Sequence, residues 1–249
     1  MNFNDKVVVI TGAASGIGQA AAVRFAARGA ILALGDINEE GLKATRALLG
    51  EGARTSLHRV DVGDPADCEA FIEAAAAAHR RIDILANVAG VLDWSPLGDF
   101  NAARWNRLIS INMGGVFFLS QAAAPHLKAT QGNIVNVASA AALVGVAYNS
   151  AYCASKAGVV AMTRAMAVEL AGQQVRVNAV CPSGVATPMI MAAGLPEGGD
   201  MSLIMRSAPK MGRLIEADEV AASILFLASD DARSITGSIL AVDSAQTAG

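Results

Sequence analysis

Hydrophobic positions along the chain form short continuous runs that alternate with longer stretches of helical pattern. Seven runs have the length and the Val, Ile, Leu and Ala content of buried strands. They are KVVVIT (6–11), AILALG (30–35), TSLHRV (55–60), IDILAN (82–87), NIVNVA (133–138), VRVNAV (175–180) and SILAVD (238–243). Ala-rich segments that begin near residues 16, 39, 65, 101, 150 and 217 predict helices between them. This alternation predicts one α/β domain over residues 1–249, with a doubly wound, seven-stranded parallel sheet covered by helices on both faces.

Glycines and polar residues collect at the carboxyl ends of six predicted strands. These clusters are TGAASGIG, Asp36, Asp61, NVAG, Ser139 and CPSGVATP, in chain order. In an open parallel sheet the carboxyl ends share one edge, and ligands bind in the crevice there. Turn formation explains such glycines one at a time, but it does not explain polar residues at the same end of six strands. The pattern therefore predicts a ligand site at this edge.

The first cluster has the composition of a nucleotide-binding turn. Gly12, Gly16 and Gly18 lie between a strand and a helix, where glycine lets the backbone approach a pyrophosphate at the helix start. The spacing is GxxxGxG rather than the general GxGxxG. Asp36, about 20 residues further on at the end of the second strand, is placed to accept both hydroxyls of an adenosine ribose. Together these features predict a Rossmann-type dinucleotide site.

Asp36 also bears on the choice of cofactor. Its carboxylate would repel a 2′-phosphate, and neither Ser15 nor Ile37 supplies a positive partner, so NAD is favoured over NADP. Alternatively, Asp36 caps the next helix, because aspartate favours such positions. Asp61, after the third strand, is expected either to accept from an adenine amino group or to cap a helix.

The segment NSAYCASKAGVVAMTRAMAVEL (149–170) predicts a packed helix that carries two reactive groups. Tyr152 and Lys156 are four residues apart, so they lie one above the other on the same side. A phenol with a pKa near about 10 is a poor proton acceptor, whereas a neighbouring cation stabilises the phenolate. The sequence therefore predicts that Lys156 lowers the pKa of Tyr152.

Two further polar residues complete a predicted proton relay. Ser139, at the end of the fifth strand, is expected to donate to the same substrate oxygen as Tyr152. Asn112, on an otherwise apolar helix, is expected to hold a water that links Lys156 to solvent. Taken singly, each of these four residues could serve only as a capping, snorkelling or hydrogen-bonded side chain. Their combination at the ligand-binding edge favours general acid–base catalysis.

Together, TGAASGIG, NVAG, Ser139 and YCASK resemble the short-chain dehydrogenase/reductase family in its compact form of about 250 residues. The resemblance covers essentially the whole chain. It implies that Tyr152 is the catalytic base or acid, that Lys156 also binds the nicotinamide ribose, and that Ser139 orients the substrate. Asn112 would complete the relay.

The resemblance also implies a full set of cofactor-binding residues, with NVAG lining the adenosine side and the segment after CPSG holding the nicotinamide carboxamide. The set comprises Gly12, Ser15, Gly16, Ile17, Gly18, Asp36, Ile37, Asp61, Val62, Asn87, Ala89, Gly90, Tyr152, Lys156, Pro182, Val185 and Thr187. No metal is expected.

The chain departs from the usual family pattern at four positions in three segments. Val88 stands where a second asparagine is common, and Ser183 separates Pro182 from a glycine that usually follows it directly. Near the end, Ser244 and Ala245 stand where a pair of glycines is usual. The departures in the last two segments are expected to alter the nicotinamide loop and the final turn, while the relay residues are unaffected.

Three segments are expected to wall the substrate pocket: VLDWSPLG (91–98), AAALVGVAYN (140–149) and residues 188–211. The third contains five of the nine methionines and three glycines, which indicates a mobile lid over an apolar ligand. Packing of these methionines against the sheet explains them equally well. The predicted substrate is a neutral, largely apolar secondary alcohol or ketone, alicyclic or steroid-like. Arg206 and Lys210 leave an anionic substrate open.

Composition narrows the remaining function classes. The net charge of -3, with both signs interspersed, provides no basic field for nucleic acid. The start MNFNDKVVVITG lacks a signal-peptide pattern, and no uninterrupted apolar run has membrane-spanning length. The three cysteines and three histidines are scattered, which argues against disulfides and zinc. We therefore expect a cytoplasmic protein without membrane or nucleic-acid partners.

A stripe of small residues on the Tyr152 helix permits close helix approach: Ala151, Ala154, Gly158, Ala161 and Ala165. Family resemblance implies that this face packs against a second subunit, in a homodimer or homotetramer. Three functions remain in competition: an NAD-dependent dehydrogenase, an NADPH-dependent 3-oxoacyl-thioester reductase, and a non-catalytic dinucleotide-binding protein. Asp36 argues against the second, and the Tyr152–Lys156 pair argues against the third.

Overall fold

The computed structural model describes residues 1–194 and 196–248. Its main sheet has seven strands: β1 (Val7–Thr11), β2 (Ile31–Asp36), β3 (Thr55–Arg59), β4 (Ile84–Asn87), β5 (Asn133–Val137), β6 (Arg176–Pro182) and β9 (Ile239–Val242). All are parallel, in the order β3-β2-β1-β4-β5-β6-β9. A separate parallel pair is formed by β7 (Val185–Ala186) and β8 (Ile215–Glu216). The predicted fold class is confirmed, and each predicted strand lies within a few residues of the observed one.

Helices cover both faces of the sheet. They are α1 (Gly16–Ala26), α2 (Glu39–Leu48), α3 (Pro65–His79), α4 (Ala102–Ile109), α5 (Gly115–Thr130), α6 (Ser150–Leu170), α7 (Pro188–Ala192), α8 (Met201–Met205) and α9 (Ala217–Ala228). All six predicted helix starts are confirmed, whereas the short helices α7 and α8 were not predicted. Single 3₁₀ turns occur at Leu97–Asp99, Ala140–Ala142, Ala171–Gln173 and Asp230–Ala232.

The core has two main layers, one on each face of the sheet. Alternate residues of a strand point to opposite faces, so Val8 of β1 packs with Phe25 and Ile224 on one side. Val9 packs with Phe71 of α3 on the other side, where α5 and α6 complete the layer. All of these side chains are buried. Burial on both faces explains why the strands read as continuous apolar runs rather than alternating ones.

Helices α4 and α5 join through a π-helical segment, Ser110–Gly114, into one continuous helical stretch. This stretch, Ala102–Thr130, is the one part of the described chain that is long and apolar enough to cross a membrane. Leu119 and Leu127 pack against α3 and the sheet in the second core layer, which explains the apolar composition by packing. The π-helical segment has a role at the candidate site, because π-bulges place side chains that a regular helix would direct elsewhere.

The small-residue stripe predicted on α6 is only partly at the surface. Ala154, Ala161 and Ala165 are exposed, but Ala151 is buried within the chain. Gly158 faces Met113 so closely that an added Cβ would lie 2.4 Å from the methionine sulfur. The prediction that all five residues form an outer face is therefore wrong for Ala151 and Gly158, because the π-helical segment already packs against that part of α6.

Candidate active site

A cleft of about 450 Å³ runs along the carboxyl edge of the sheet. Apart from Asn87, all the residues predicted to bind the cofactor line this cleft, and so does Ser139. The six clusters at the strand ends therefore do meet in space. The predicted relay residues are divided, since Tyr152 and Lys156 face the cleft while Asn112 lies behind its wall.

The glycine turn brings backbone close to backbone at the start of α1. Gly12 has a φ of +67°, and a Cβ at this position would lie 2.9 Å from the Cα of Ala89. At Gly18 a Cβ would lie 2.1 Å from the carbonyl oxygen of Gly12. Neither position accepts a side chain, so the turn stays tight and its amides remain open to the cleft. Ser15 precedes α1 without capping it through its side chain, which leaves the first amides free for a diphosphate.

Asp36 supports this turn from the end of β2. Its Oδ2 accepts from the Ala14 amide at 3.0 Å, and its Oδ1 accepts from the Asn38 amide at 3.0 Å. The cap of α2 is Asn38, whose side chain accepts from Gly41 at 3.0 Å. The capping alternative for Asp36 is therefore wrong. Its carboxylate oxygens retain lone pairs for ligand hydroxyls, and Ile37, more than half exposed beside it, presents an apolar surface to the same end of the cleft.

Asp61 lies on the opposite side of this end of the cleft. Its Oδ1 accepts from the Gly63 amide at 2.9 Å, which forms a local turn. Helix α3 is capped by Asp64, which accepts from the Ala66 amide at 2.9 Å. The capping alternative for Asp61 is thus also wrong, and Asp61 lines the cleft beside Val62.

Asn87 does not line the cleft. Its side chain is 2% exposed and donates to the Ser120 hydroxyl at 3.2 Å and to the Asn136 carbonyl at 2.9 Å. The prediction that this residue lines the adenosine side is wrong for its side chain, because α5 covers the end of β4. The cleft wall after β4 is formed by Val88, Ala89, Gly90 and Val91.

At the other end of the cleft, Tyr152 lies half-buried on the first turn of α6. Burial raises the pKa of its phenol to about 12, and hydrogen bonding with Ser139 acts in the opposite direction. The Ser139 oxygen accepts from the Ala141 amide at 3.1 Å. That contact leaves the Ser139 hydroxyl proton available, so Ser139 is a donor toward the phenol and toward a substrate oxygen.

Lys156 is 4% exposed, and its Nζ donates to the Val137 carbonyl at 2.9 Å. The Nζ lies 5.9 Å from the centre of the Tyr152 ring. Burial lowers the pKa of Lys156 to about 8. The prediction that Lys156 lowers the pKa of Tyr152 is therefore wrong, because burial raises that pKa. The lysine is directed at a backbone carbonyl, and the cost of burying a charge dominates both groups.

Asn112 is fully buried in the π-helical segment, and its amide is occupied by other protein groups. Its Oδ1 accepts from the Val91 amide at 2.8 Å, and its Nδ2 donates to the Val91 carbonyl at 2.9 Å and the Ser155 hydroxyl at 3.2 Å. The expectation that this side chain holds a water is thus corrected. Asn112 instead fixes the loop after β4 against α6. A Cβ on Gly90 would lie 3.1 Å from Asn112 Oδ1 and 3.3 Å from Lys156 Nζ.

Val91, Met189 and Ile190 line the cleft and belong to segments predicted to wall the substrate pocket. Six further lining residues were not predicted: Val60, Arg107, Ile111, Val137, Ala138 and Ser183. Arg107 and Ile111 are four residues apart, and Ile111 directly precedes Asn112, so helical spacing carried a signal for them. The Ser183 oxygen is buried without a hydrogen-bond partner among the described residues. An orphaned hydroxyl at the end of the cleft next to Pro182 is compatible with a ligand amide at that position.

The methionines of residues 188–211 do not pack against the sheet. All five are exposed, with Met191 at 74% and Met205 at 60%, while Met189 also lines the cleft. The packing alternative is therefore wrong. The predicted segment includes residue 195, which lies outside the described residues.

Comparison with known proteins identifies relatives over the full chain. A family profile described as enoyl-(acyl carrier protein) reductase matches residues 12–245. Cis-4-hydroxycyclohexanecarboxylate dehydrogenase of Sinomonas cyclohexanicum is 42% identical, over 99% of this chain and 98% of that protein. Meso-2,3-butanediol dehydrogenase of Serratia marcescens is 43% identical, over 100% and 97%. A 3-oxoacyl-[acyl-carrier-protein] reductase of Thermotoga maritima is 38% identical, over 98% of each.

Solved structures show the same fold. The crystal structure of levodione reductase has a TM-score of 0.91 at 34% identity and covers 100% of both chains. A short-chain dehydrogenase from Mycobacterium paratuberculosis bound to NAD has a TM-score of 0.91 at 29% identity, also over 100% of both chains. With the cleft geometry, these matches show that the chain belongs to the short-chain dehydrogenase/reductase family of oxidoreductases.

Proposed function

We propose that the protein is an NAD-dependent dehydrogenase of neutral, largely apolar secondary alcohols, with alicyclic alcohols as the favoured class. The observation that carries this proposal is the single cleft that joins the glycine turn and Asp36 at one end to Ser139, Tyr152 and Lys156 at the other. A relative named for cis-4-hydroxycyclohexanecarboxylate and a neighbour named for levodione support a cyclic substrate, although the carboxylate of the first is anionic rather than neutral.

In this proposal the glycine turn, Asp36 and Lys156 would hold NAD, which when bound would supply the acceptor for the hydride that leaves the carbinol carbon. Ser139 donates its hydroxyl proton in a hydrogen bond to the substrate oxygen and thereby orients it. The phenolate of Tyr152 takes the proton that leaves the alcohol as the carbonyl forms. Lys156, protonated below a pKa of about 8, would hydrogen-bond the nicotinamide ribose and adds positive charge at this end of the cleft. Asn112 positions Gly90 and the loop around it.

The raised pKa of Tyr152 suits the reverse reaction as well. A phenol that keeps its proton at neutral pH can deliver it to a ketone oxygen, as a general acid requires. In the oxidative direction the phenol must first ionise, which burial opposes and nearby positive charge favours. Alcohol oxidation is therefore expected to speed up with rising pH, and ketone reduction to slow down.

The preference for NAD rests on Asp36. Its carboxylate occupies the end of β2, and the two backbone amides that it accepts from keep it in place. A 2′-phosphate at this position would meet a fixed negative charge. A homologue solved with NAD supports the same choice.

A second candidate function is reduction of 3-oxoacyl thioesters with NADPH. The relative from Thermotoga maritima favours it, and Arg206 and Lys210 in the segment after α8 supply positive charge for an anionic carrier. Asp36 argues against NADPH, as above. A dinucleotide-binding protein without turnover would not need the Tyr152–Lys156 pair.

The test is a panel of secondary alcohols and their ketones, including cyclohexanols, diols and a 3-oxoacyl thioester, with NAD(H) and NADP(H). We expect absorbance at ~340 nm to change with cyclic alcohols and NAD, and kcat/KM to be at least about 100-fold lower with NADP, since a charge clash costs a few kcal/mol. Turnover of the thioester with NADPH alone would favour the second candidate, and cofactor binding without any turnover would favour the third.

A further inference from the structure

Tyr148 lies where the three predicted walls of the substrate pocket meet. It is one of only two tyrosines in the chain and precedes Tyr152 by four residues. Its backbone is left-handed, with a φ of +63°, a conformation that costs a residue with a side chain about 1 kcal/mol or more. Such strain persists where surrounding contacts fix the residue, and it is concentrated at functional sites.

Contacts on both sides of Tyr148 join separate parts of the pocket wall. Its hydroxyl oxygen accepts from the Asp200 amide at 2.8 Å, and its carbonyl oxygen accepts from the Ser95 amide at 2.9 Å. Asp200 in turn accepts from the Ser202 amide at 2.8 Å and thereby begins helix α8. One residue therefore connects the loop after β5, the loop after β4 and the start of α8.

The loop after β4 is a firm support for this connection. Arg104 donates to the Ser95 hydroxyl at 3.0 Å and to the Asp93 carboxylate at 2.9 Å, which fastens the loop to α4. The side of α8 is different. Within described residues 196–210, two hydrogen bonds reach a distant part of the chain: the Asp200–Tyr148 bond at the start of α8, and the bond from the Lys210 amide to the Ser244 carbonyl at 2.9 Å, beyond the end of α8. The others join residues at most four positions apart.

Helix α8 carries apolar side chains that have no cover in this structure. Met201 and Met205, four residues apart, are 50% and 60% exposed. Met189, further back in the same segment, already lines the cleft. The Tyr148 hydroxyl therefore holds a helix with adaptable apolar side chains against the loop that leads into α6, the helix that bears Tyr152.

We propose that Tyr148 is a positioning residue for the substrate: its hydroxyl holds α8 at the alcohol-binding end of the cleft and so sets the affinity for the substrate's apolar body. This inference rests on the proposed dehydrogenase function. It assigns the two tyrosines opposite roles, because Tyr152 acts on the reacting oxygen and Tyr148 acts only through α8.

The same substitution at both tyrosines separates these roles. Tyr148→Phe removes one neutral hydrogen bond, so we expect KM for the preferred alcohol to rise about 3- to 10-fold while kcat stays within about twofold. NADH binding, followed by fluorescence, should be unchanged. Trypsin should cleave faster after Arg206 and Lys210, the basic residues that follow α8. The matched control Tyr152→Phe should lose kcat and keep the cleavage rate of the wild-type protein.

The proposal would be overturned if Tyr148→Phe had the KM and the cleavage rate of the wild-type protein. It would also be overturned if Tyr148→Phe lost only kcat. If the wild-type protein turns over no alcohol, the proposed function fails, and unchanged cleavage would then overturn the positioning role separately. Should Tyr148→Phe not fold, Asp200→Pro removes the same hydrogen bond from the donor side. Asp200→Ala, which keeps the amide, is its control, and equal cleavage in these two variants would also contradict the proposal.

Discussion

At the reacting end of the cleft, burial shifts the pKa values of two side chains in opposite directions. It raises the pKa of Tyr152 to about 12 and lowers that of Lys156 to about 8. Both shifts disfavour the charged form, as expected for groups removed from water. The phenol therefore holds its proton at neutral pH, and positive charge beside it would favour the phenolate.

The lysine shift predicts a pH dependence of stability. Between about pH 8 and about 10.4, the usual lysine value, the unfolded chain holds the Lys156 proton and the folded protein does not. Because the unfolded state binds more protons there, the free energy of unfolding contributed by this group increases with pH. Denaturant titrations at pH 7 and 9.5 should therefore show the wild-type protein gaining stability relative to Lys156→Met.

The exposed Lys128 provides the control for this comparison. Lys128→Met should follow the wild-type protein across the same pH range, because its side chain is in solvent in both states. A Lys156→Met curve parallel to the wild-type curve would contradict the lowered pKa.

At the residue scale the sequence was sufficient to name most of the cleft, because the glycines, Asp36, Ser139, Tyr152 and Lys156 have spacings that packing alone does not require. It could not give the depth of each side chain. Asn87 belongs to a recognisable motif, yet its amide is buried beneath the cleft. Whether the pKa of Tyr152 rises or falls also depends on how deeply the phenol is buried and on where the Lys156 side chain points. The four-residue spacing of Tyr152 and Lys156 determines neither.

Among the elements, the turn after β9 carries a local conflict between sequence and backbone. Ser244 and Ala245 stand where the family resemblance implies a pair of glycines, and their φ values are +49° and +62°. The Asp243 carboxylate accepts from the Ala245 amide at 3.1 Å and from the Thr247 amide at 2.9 Å, which holds the turn in this form. The fold thus retains a glycine-like backbone although both residues have side chains.

Ala245→Gly is therefore expected to stabilise the protein. Ala245 is exposed, so little packing is lost, and relief of the left-handed backbone should raise the free energy of unfolding by about 1 kcal/mol. The corresponding rise in Tm is about 2–4 °C. The same change at Ala74, exposed within α3, should have the opposite sign, because glycine in a helix costs about 1 kcal/mol. Destabilisation by Ala245→Gly would show that the turn is not strained.

Strands and long helices were predictable because each has many residues in one repeating pattern. The π-helical segment was not predictable. Its hydrogen bonds span one residue more than those of an α-helix, and a single turn of this kind leaves no repeating pattern in the sequence. Helices α7 and α8 have only five residues each, which is too short for a helical period to show. The contact between Tyr148 and Asp200 joins residues 52 positions apart, and no local pattern marks it.

On the scale of the whole molecule, α5 and α6 present an outer face with exposed apolar residues. Val168 is 82% exposed and Phe117 is 41% exposed, beside the small residues Ala161 and Ala165. Exposed apolar surface of this kind marks interaction sites, and small residues permit close approach of a second helix.

We therefore predict a homo-oligomer with a mass two or four times the 25.4 kDa of one chain. Light scattering at micromolar concentration measures this mass. Ala161→Glu should shift the mass toward one chain because it buries a charge between subunits. Ala78→Glu, on the exposed side of α3, should leave it unchanged. A wild-type protein that scatters as a single chain would refute the prediction.

The central claim is that the Tyr152 oxygen exchanges the proton of the alcohol while NAD is bound in the same cleft. The most direct measurement compares the wild-type protein with Tyr152→Phe in two assays: NADH formation with the preferred alcohol, and NADH binding by fluorescence. We predict a loss of kcat of at least about 100-fold, the lower range for a general acid–base group, with the dissociation constant for NADH changed less than about threefold. Turnover at the wild-type rate in Tyr152→Phe would contradict the account.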